Sequence, residues 1–160
     1  MSWSGAALLA GTVTAGLMAG LFATFSYAVM PGLGQTDDAT FVQSMQRINV
    51  AILNGWFGIC FGGALVFTAV AAGLHLGRAN RSALPWILAG LVLYVAVLGI
   101  TFAVNVPLNE RLNAATADYA AARAAFERSW VRWNHVRSVL CTGAFGCLCW
   151  ALVLHGRLPG

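Results

Sequence analysis

Four long apolar runs, at residues 5–30, 55–76, 84–104 and 130–154, constrain this chain more than any other feature. Each reaches the roughly 20 residues that an α-helix needs to cross about 30 Å of hydrocarbon. A soluble domain carries about 25% charged residues; this chain of 160 carries 9%, with 59% hydrophobic residues, and its mean hydropathy is +0.76. So short a chain could not hide that much apolar surface from water. The expectation is one all-α domain over residues 1–160, an integral membrane four-helix bundle with both termini on one side and amphipathic helical extensions on the opposite face.

The charges fit that picture. Nine Arg, no Lys and five acids give a net charge of +4. They are scattered rather than clustered, which speaks against a nucleic-acid partner and for anchoring at a lipid bilayer. Arg78, Arg81 and Arg157 share the side of the termini with no acid nearby, whereas Arg47, Arg111, Arg123, Arg128 and Arg132 lie opposite. The positive-inside rule is therefore divided, and termini in the cytoplasm are the expected orientation. Cys60, Cys141, Cys147 and Cys149 all sit inside apolar runs and read as small core residues. No basic segment precedes the first run, which is too long for a signal-peptide core and reads as a retained span.

Turn and capping residues set the expected boundaries. Pro31-Gly32 should stop the first helix. Asp37-Asp38 should cap an amphipathic segment in which Phe41, Val42, Met45, Ile48 and Ile52 recur at helical spacing. A straight helix from Asp38 to Leu76 would measure about 58 Å at 1.5 Å per residue, so Asn54-Gly55 should bend it or its start should leave the bilayer. Pro107 should close the third span, and residues 109–127 should form an interfacial helix. Gly16-x-x-x-Gly20 and Gly58-x-x-x-Gly62 offer small-residue faces for helix packing or homo-oligomerisation.

Polar residues gather toward the membrane face opposite the termini: Asn49, Asn54, Asn105, Asn109, Asn134, His135 and Arg137, with Trp56, Trp130 and Trp133. Stepping about 100° per residue from Trp130 puts Trp133 near 300°, Arg137 near 340°, Asn134 near 40°, Ser138 near 80° and His135 near 140°. A Trp-Trp-Arg face thus adjoins one running through Asn134 and Ser138 to His135. Arg137 falls about two turns inside the apolar run, where a cation must snorkel, pair with Glu110 or Glu127, or bind a ligand. His135 lacks a second ligand at helical spacing and is not expected to bind metal, whereas as a general base it would be partly neutral near pH 7. Asn109 could cap the following helix and Asn105 could satisfy the turn broken by Pro107, or both amides could donate to an oxyanion.

Met45-Gln46-Arg47-Ile48-Asn49, Asn54-Gly55-Trp56-Phe57, Asn105-Val106-Pro107-Leu108-Asn109 and Trp130-x-x-Trp133-Asn134-His135-Val136-Arg137 together resemble the bacterial branch of the anthrone oxygenase-like (DUF1772) integral membrane family. The resemblance spans nearly the whole chain and implies a multi-pass protein of the bacterial cytoplasmic membrane. Fungal members are associated with oxidising anthrones to anthraquinones with O2 and without a cofactor. By that resemblance His135 would be the base, and Arg137, Asn105 and Asn109 would stabilise the oxyanion. Trp130 and Trp133 would hold the rings, with Asn134, Asn49, Asn54 and Trp56 completing the substrate site. Two other classes fit the same residues: a non-enzymatic protein that binds or passes a lipophilic ligand such as a quinone or lipid, and a structural subunit of a membrane complex.

Overall fold

In a computed structural model, which describes residues 2–77 and 81–157, the chain forms five helices and, among those residues, no strand. They are α1 (Trp3–Leu33), α2 (Asp38–Ala51), α3 (Gly55–Leu74), α4 (Leu84–Asn113) and α5 (Tyr119–Gly156). All but α2 are long and apolar enough to cross a membrane. Arg78, expected on the side of the termini, lies outside the described residues.

Each boundary has a local cause. Ser2 caps α1 by accepting from the Gly5 N–H, and Asp37 caps α2 by accepting from Thr40. Asn54 caps α3 through the Phe57 N–H, so the chain breaks between α2 and α3, the first of the two outcomes that the length argument allowed. Asp118, at φ 42°, turns the chain in a left-handed conformation and caps α5 through Ala121.

The prolines behave differently from expectation. Pro31 does not end α1, which runs on to Leu33, and Pro107 does not end α4, which runs on to Asn113. In both helices a five-residue π turn, Phe25–Val29 or Thr101–Asn105, ends two residues before the proline. The wider backbone ring accommodates the missing N–H and the bulk of the pyrrolidine, which would break a regular α-helix. The interfacial helix expected over residues 109–127 is likewise divided. Its first part is the end of α4, its second the start of α5, with the Ala114–Asp118 turn between them.

At 38 residues, α5 is about 57 Å long, nearly twice the thickness of the hydrocarbon layer. Its deeper part packs with α1, α3 and α4 around Leu8, Met18, Tyr94, Cys141 and Leu148. Close approach rests on glycine at two contacts: a Cβ on Gly11 would meet Thr68 Oγ1 at 2.9 Å, and one on Gly16 would meet the Phe145 ring at 2.8 Å. Gly20, Gly58 and Gly62 face nothing within 4 Å, so of the two small-residue stripes only Gly16 is packed within the chain. Between α3 and α4, Tyr94 Oη donates to the Phe61 carbonyl at 2.9 Å.

The rest of α5 leaves the bundle and builds a second core. Phe126 and Trp130 pack with Met30 from α1, Phe41, Val42 and Met45 from α2, and Leu112 from α4. Arg123 locks this cap, donating to the Gly34 and Thr36 carbonyls, to Asp38 at 3.1 Å and to Glu127 at 2.7 Å, while lying over the Phe41 ring. At the other end of the bundle His155 meets both His75, at 3.1 Å, and Ser2, at 3.4 Å, which brings residues 2 and 155 together. These two histidines, unremarked by their spacing in the sequence, form a hydrogen-bonded chain.

Candidate functional site

Between the two cores lies a cavity of about 330 Å³. Every helix contributes to it. Phe22 and Phe25 come from α1, Met45, Ile48 and Asn49 from α2, and Phe57 and Phe61 from α3. Thr101, Phe102, Asn105, Asn109, Glu110 and Asn113 come from α4, and Trp130, Asn134 and Arg137 from α5. Phe57 stacks on Phe61 with centroids 5.1 Å apart, and Phe102 meets Phe61 edge-on at 6.2 Å. Phe102 is 63% exposed and Leu53 79%, so the cavity has an open mouth on the side of α3 and α4. Glu110, also exposed, stands on the lining nearer the end of α4.

The inner end of the cavity is polar. Arg137 is 5% exposed, and no carboxylate pairs with it among the described residues. Its Nη2 donates to Asn134 Oδ1 at 2.8 Å and its Nη1 to Thr101 Oγ1 at 3.4 Å, while its Nε has no acceptor. The guanidinium lies 4.4 Å from the Phe22 centroid and 5.5 Å from that of Trp130. Cation–π attraction offsets part of the desolvation cost of such a buried charge, and an anionic ligand would offset more.

Asn105 is in a similar state. It is 1% exposed, and neither Oδ1 nor Nδ2 has a partner. Buried amides are rarely left so, because each unmade hydrogen bond costs about 1–3 kcal/mol. The neighbouring groups are fixed instead. Asn134 Nδ2 donates to the Phe22 carbonyl and to Ser26 Oγ, Trp130 Nε1 donates to Asn109 Oδ1 at 2.8 Å, and Asn49 Nδ2 donates to Asn113 Oδ1. A rigid polar frame thus surrounds two unpaired donors, Arg137 Nε and Asn105 Nδ2, and one unpaired acceptor.

Of the residues singled out by sequence, Arg137, Asn105, Asn109, Trp130, Asn134 and Asn49 line this cavity. His135 does not: it is exposed on α5, and its Nδ1 lies 2.7 Å from the Val131 carbonyl of its own helix. The inward arc of α5 runs through Arg137, Trp130, Asn134 and Ser138, so His135 falls past its edge on one side and half-buried Trp133 on the other. Trp56 is 80% exposed and Asn54 is occupied as the cap of α3. The expected caps and pairs change as well. Asn109 sits inside α4 and receives the Trp130 indole rather than capping a helix, Asn105 satisfies no broken turn, and Glu127 pairs with Arg123 rather than Arg137.

Glu110, expected only as a partner for Arg137, makes no such pair, and Thr101, Phe22 and the Phe57-Phe61-Phe102 wall were not expected in the lining. The signal for α4 was present: Thr101, Asn105, Asn109 and Asn113 recur every fourth residue and share one helical face. All four Cys are free thiols, and among the described residues no three His, Cys, Asp or Glu side chains gather as metal ligands would.

A sequence model of the anthrone oxygenase family matches residues 55–147, more than half of the chain, including the cavity residues of α3, α4 and α5. No curated protein and no solved structure matches. By that match the chain belongs to the anthrone oxygenase family.

Proposed function

We propose that this protein is a membrane-embedded oxygenase of lipophilic, anthrone-like aromatic substrates. The observation that carries the reading is Arg137, a buried cation with no carboxylate partner, beside Asn105, a buried amide with no partner, at the end of an aromatic-walled cavity. Such donors suit an oxygen atom on which negative charge develops.

An anthrone fits this demand. Its methylene is acidified by two aryl rings and a conjugated carbonyl, so loss of one proton leaves an electron pair that spreads onto the carbonyl oxygen. Arg137 Nε and Asn105 Nδ2 would stabilise that oxyanion, with Asn109 and Asn134 holding Trp130 and Arg137 in place. Phe22, Trp130 and the α3–α4 phenylalanines would enclose the rings. The anion gives an electron to O2, and combination of the radicals makes a peroxide at the former methylene carbon. Protonation, loss of the second C–H proton and O–O cleavage then leave a ketone and water. Substrate plus O2 becomes quinone plus water, and the electrons come from the substrate, so the route requires no bound cofactor.

The cavity mouth beside Phe102 would admit substrate from the bilayer of a bacterial cytoplasmic membrane, with the termini in the cytoplasm. One observation favours a second reading, the binding or passage of a lipophilic quinone: the same unpaired donors suit an uncharged carbonyl. Oxygen uptake by the purified protein on addition of an anthrone separates the two. Uptake well above the spontaneous rate that falls in Arg137→Gln supports the oxygenase, whereas uptake at background with saturable anthraquinone binding supports the second reading.

A further inference from the structure

We infer that Glu110 is the proton acceptor that generates the substrate anion, an assignment that rests on the oxygenase reading. The chain has five acids, and four have structural work. Asp37 and Asp118 cap α2 and α5 through Thr40 and Ala121, and Asp38 and Glu127 hold Arg123. Among the described residues Glu110 has neither an ion pair nor a side-chain hydrogen bond, and it is the only acidic residue among them bordering the cavity.

Its position relative to the oxyanion donors suits the chemistry. Asn105 and Glu110 are five residues apart on α4, about 7.5 Å along the helix axis and about 140° around it, and both residues border the cavity. In an anthrone the acidic methylene and the carbonyl lie on opposite sides of the central ring. A substrate with its oxygen at Asn105 and Arg137 therefore points its methylene toward the Glu110 end of the cavity. The exposed carboxylate can also exchange its proton with water between turnovers. His135, though exposed, stands outside the lining and does not border the cavity.

In the step itself the methylene C–H bond breaks, an O–H bond forms on the Glu110 carboxylate, and the electron pair remains on the substrate, shared between ring carbon and carbonyl oxygen. Nothing is oxidised until O2 arrives. The acid so formed can return the proton to the peroxide, leaving the carboxylate free to take the second C–H proton.

The test separates this proton transfer from oxidation. Anthrone is incubated with the detergent-solubilised protein in anaerobic, buffered D2O, and loss of the methylene proton signal is followed by NMR. Quenching of tryptophan fluorescence reports binding. The wild type should accelerate exchange over buffer, and Glu110→Gln should lower the accelerated rate by about 10² to 10⁴-fold while binding as the wild type does. Exchange in Glu110→Gln at the wild-type rate would overturn the assignment and leave the oxygenase reading standing. Loss of exchange together with loss of binding would make Glu110 a binding residue and also overturn it. No acceleration by the wild type would overturn both.

Discussion

Arg137 and Asn134, one turn apart on α5, share a 2.8 Å hydrogen bond that fixes the guanidinium edge, while Asn134 Nδ2 is itself anchored to the Phe22 carbonyl and Ser26. The cation is thus held from behind at the border of the cavity, with Nε left without an acceptor. Function and stability should part company at this residue. Arg137→Gln should lower the rate of oxygen uptake by about 10² to 10³-fold, the cost of one oxyanion donor. Arg137→Met should lose activity too, yet show a Tm equal to or above that of the wild type, because an apolar side chain of similar length removes an unpaired buried charge. A fall of several degrees in the Arg137→Met Tm would mean that the guanidinium is chiefly structural.

His135 offers the complementary case. Its ring lies outside the cavity and against its own helix. His135→Ala should keep its oxygen-uptake rate within about twofold of wild type, far from the 10²-fold or greater loss that removal of a general base produces. A loss of that size would return His135 to the reaction.

The bond from Trp130 Nε1 to Asn109 Oδ1 joins α5 to α4 at the border of the cavity. Asn109→Ala leaves a largely buried indole N–H without its acceptor, which should cost about 1–3 kcal/mol in denaturant unfolding. Asn109→Asp, which keeps an acceptor oxygen, should recover much of this loss. Equal destabilisation by both substitutions would assign the effect to helix packing instead.

Arg123 closes the cap over the cavity through two loop carbonyls, two carboxylates and the Phe41 ring. Arg123→Ala should loosen α2 without unfolding the bundle. Amide hydrogen exchange over residues 38–51 should rise by about tenfold or more, which corresponds to roughly 1.4 kcal/mol of local stability. Exchange in α1 and α3 should stay unchanged; a uniform rise through the whole chain would contradict a local lock.

Gly11 and Gly62 should respond in opposite ways to the same change. Gly11→Ala forces a methyl to within 2.9 Å of Thr68 Oγ1 and 3.1 Å of its backbone nitrogen, so α1 and α3 must separate, at a cost of about 1–3 kcal/mol. Gly62→Ala meets open space, and by helix propensity it should be neutral or stabilising by up to about 1 kcal/mol. Thermal unfolding of the two variants in the same detergent decides the point.

The sequence carries the membrane spans plainly, because apolar length over 20 or more residues needs no tertiary information. The capping residue Asp37 was legible because a side chain that bonds an N–H three residues on acts locally, whereas Asn54, expected at a bend and in the substrate site, caps α3 instead. The site was legible in part. Arg137, Asn105 and Trp130 stood out by their chemistry, whereas Glu110 stood out only as a partner for Arg137 and Asn113 not at all. Pro107 read as the end of a helix, and with that boundary the four-residue ladder from Thr101 to Asn113 was cut in half. His135 was misplaced by a smaller effect, since helical geometry gives the angle between residues on α5 but not which angle faces the neighbours. That direction is set by Phe22, Phe25 and the π turn of α1, far away in the chain.

The π turn at Thr101–Asn105 also bears on how such a chain tolerates insertions and deletions. A π turn is an α-helix with one residue too many, so removing a single residue there would restore regular hydrogen bonding and swing everything beyond it by about 100°. Asn109, Glu110 and Asn113 would turn off the cavity wall and Pro107 would lose the wide turn that accommodates it. Relatives that keep this pocket should therefore keep the spacing between Thr101 and Pro107 even where the side chains between them drift. A single-codon deletion in this segment should be more damaging than most substitutions within it.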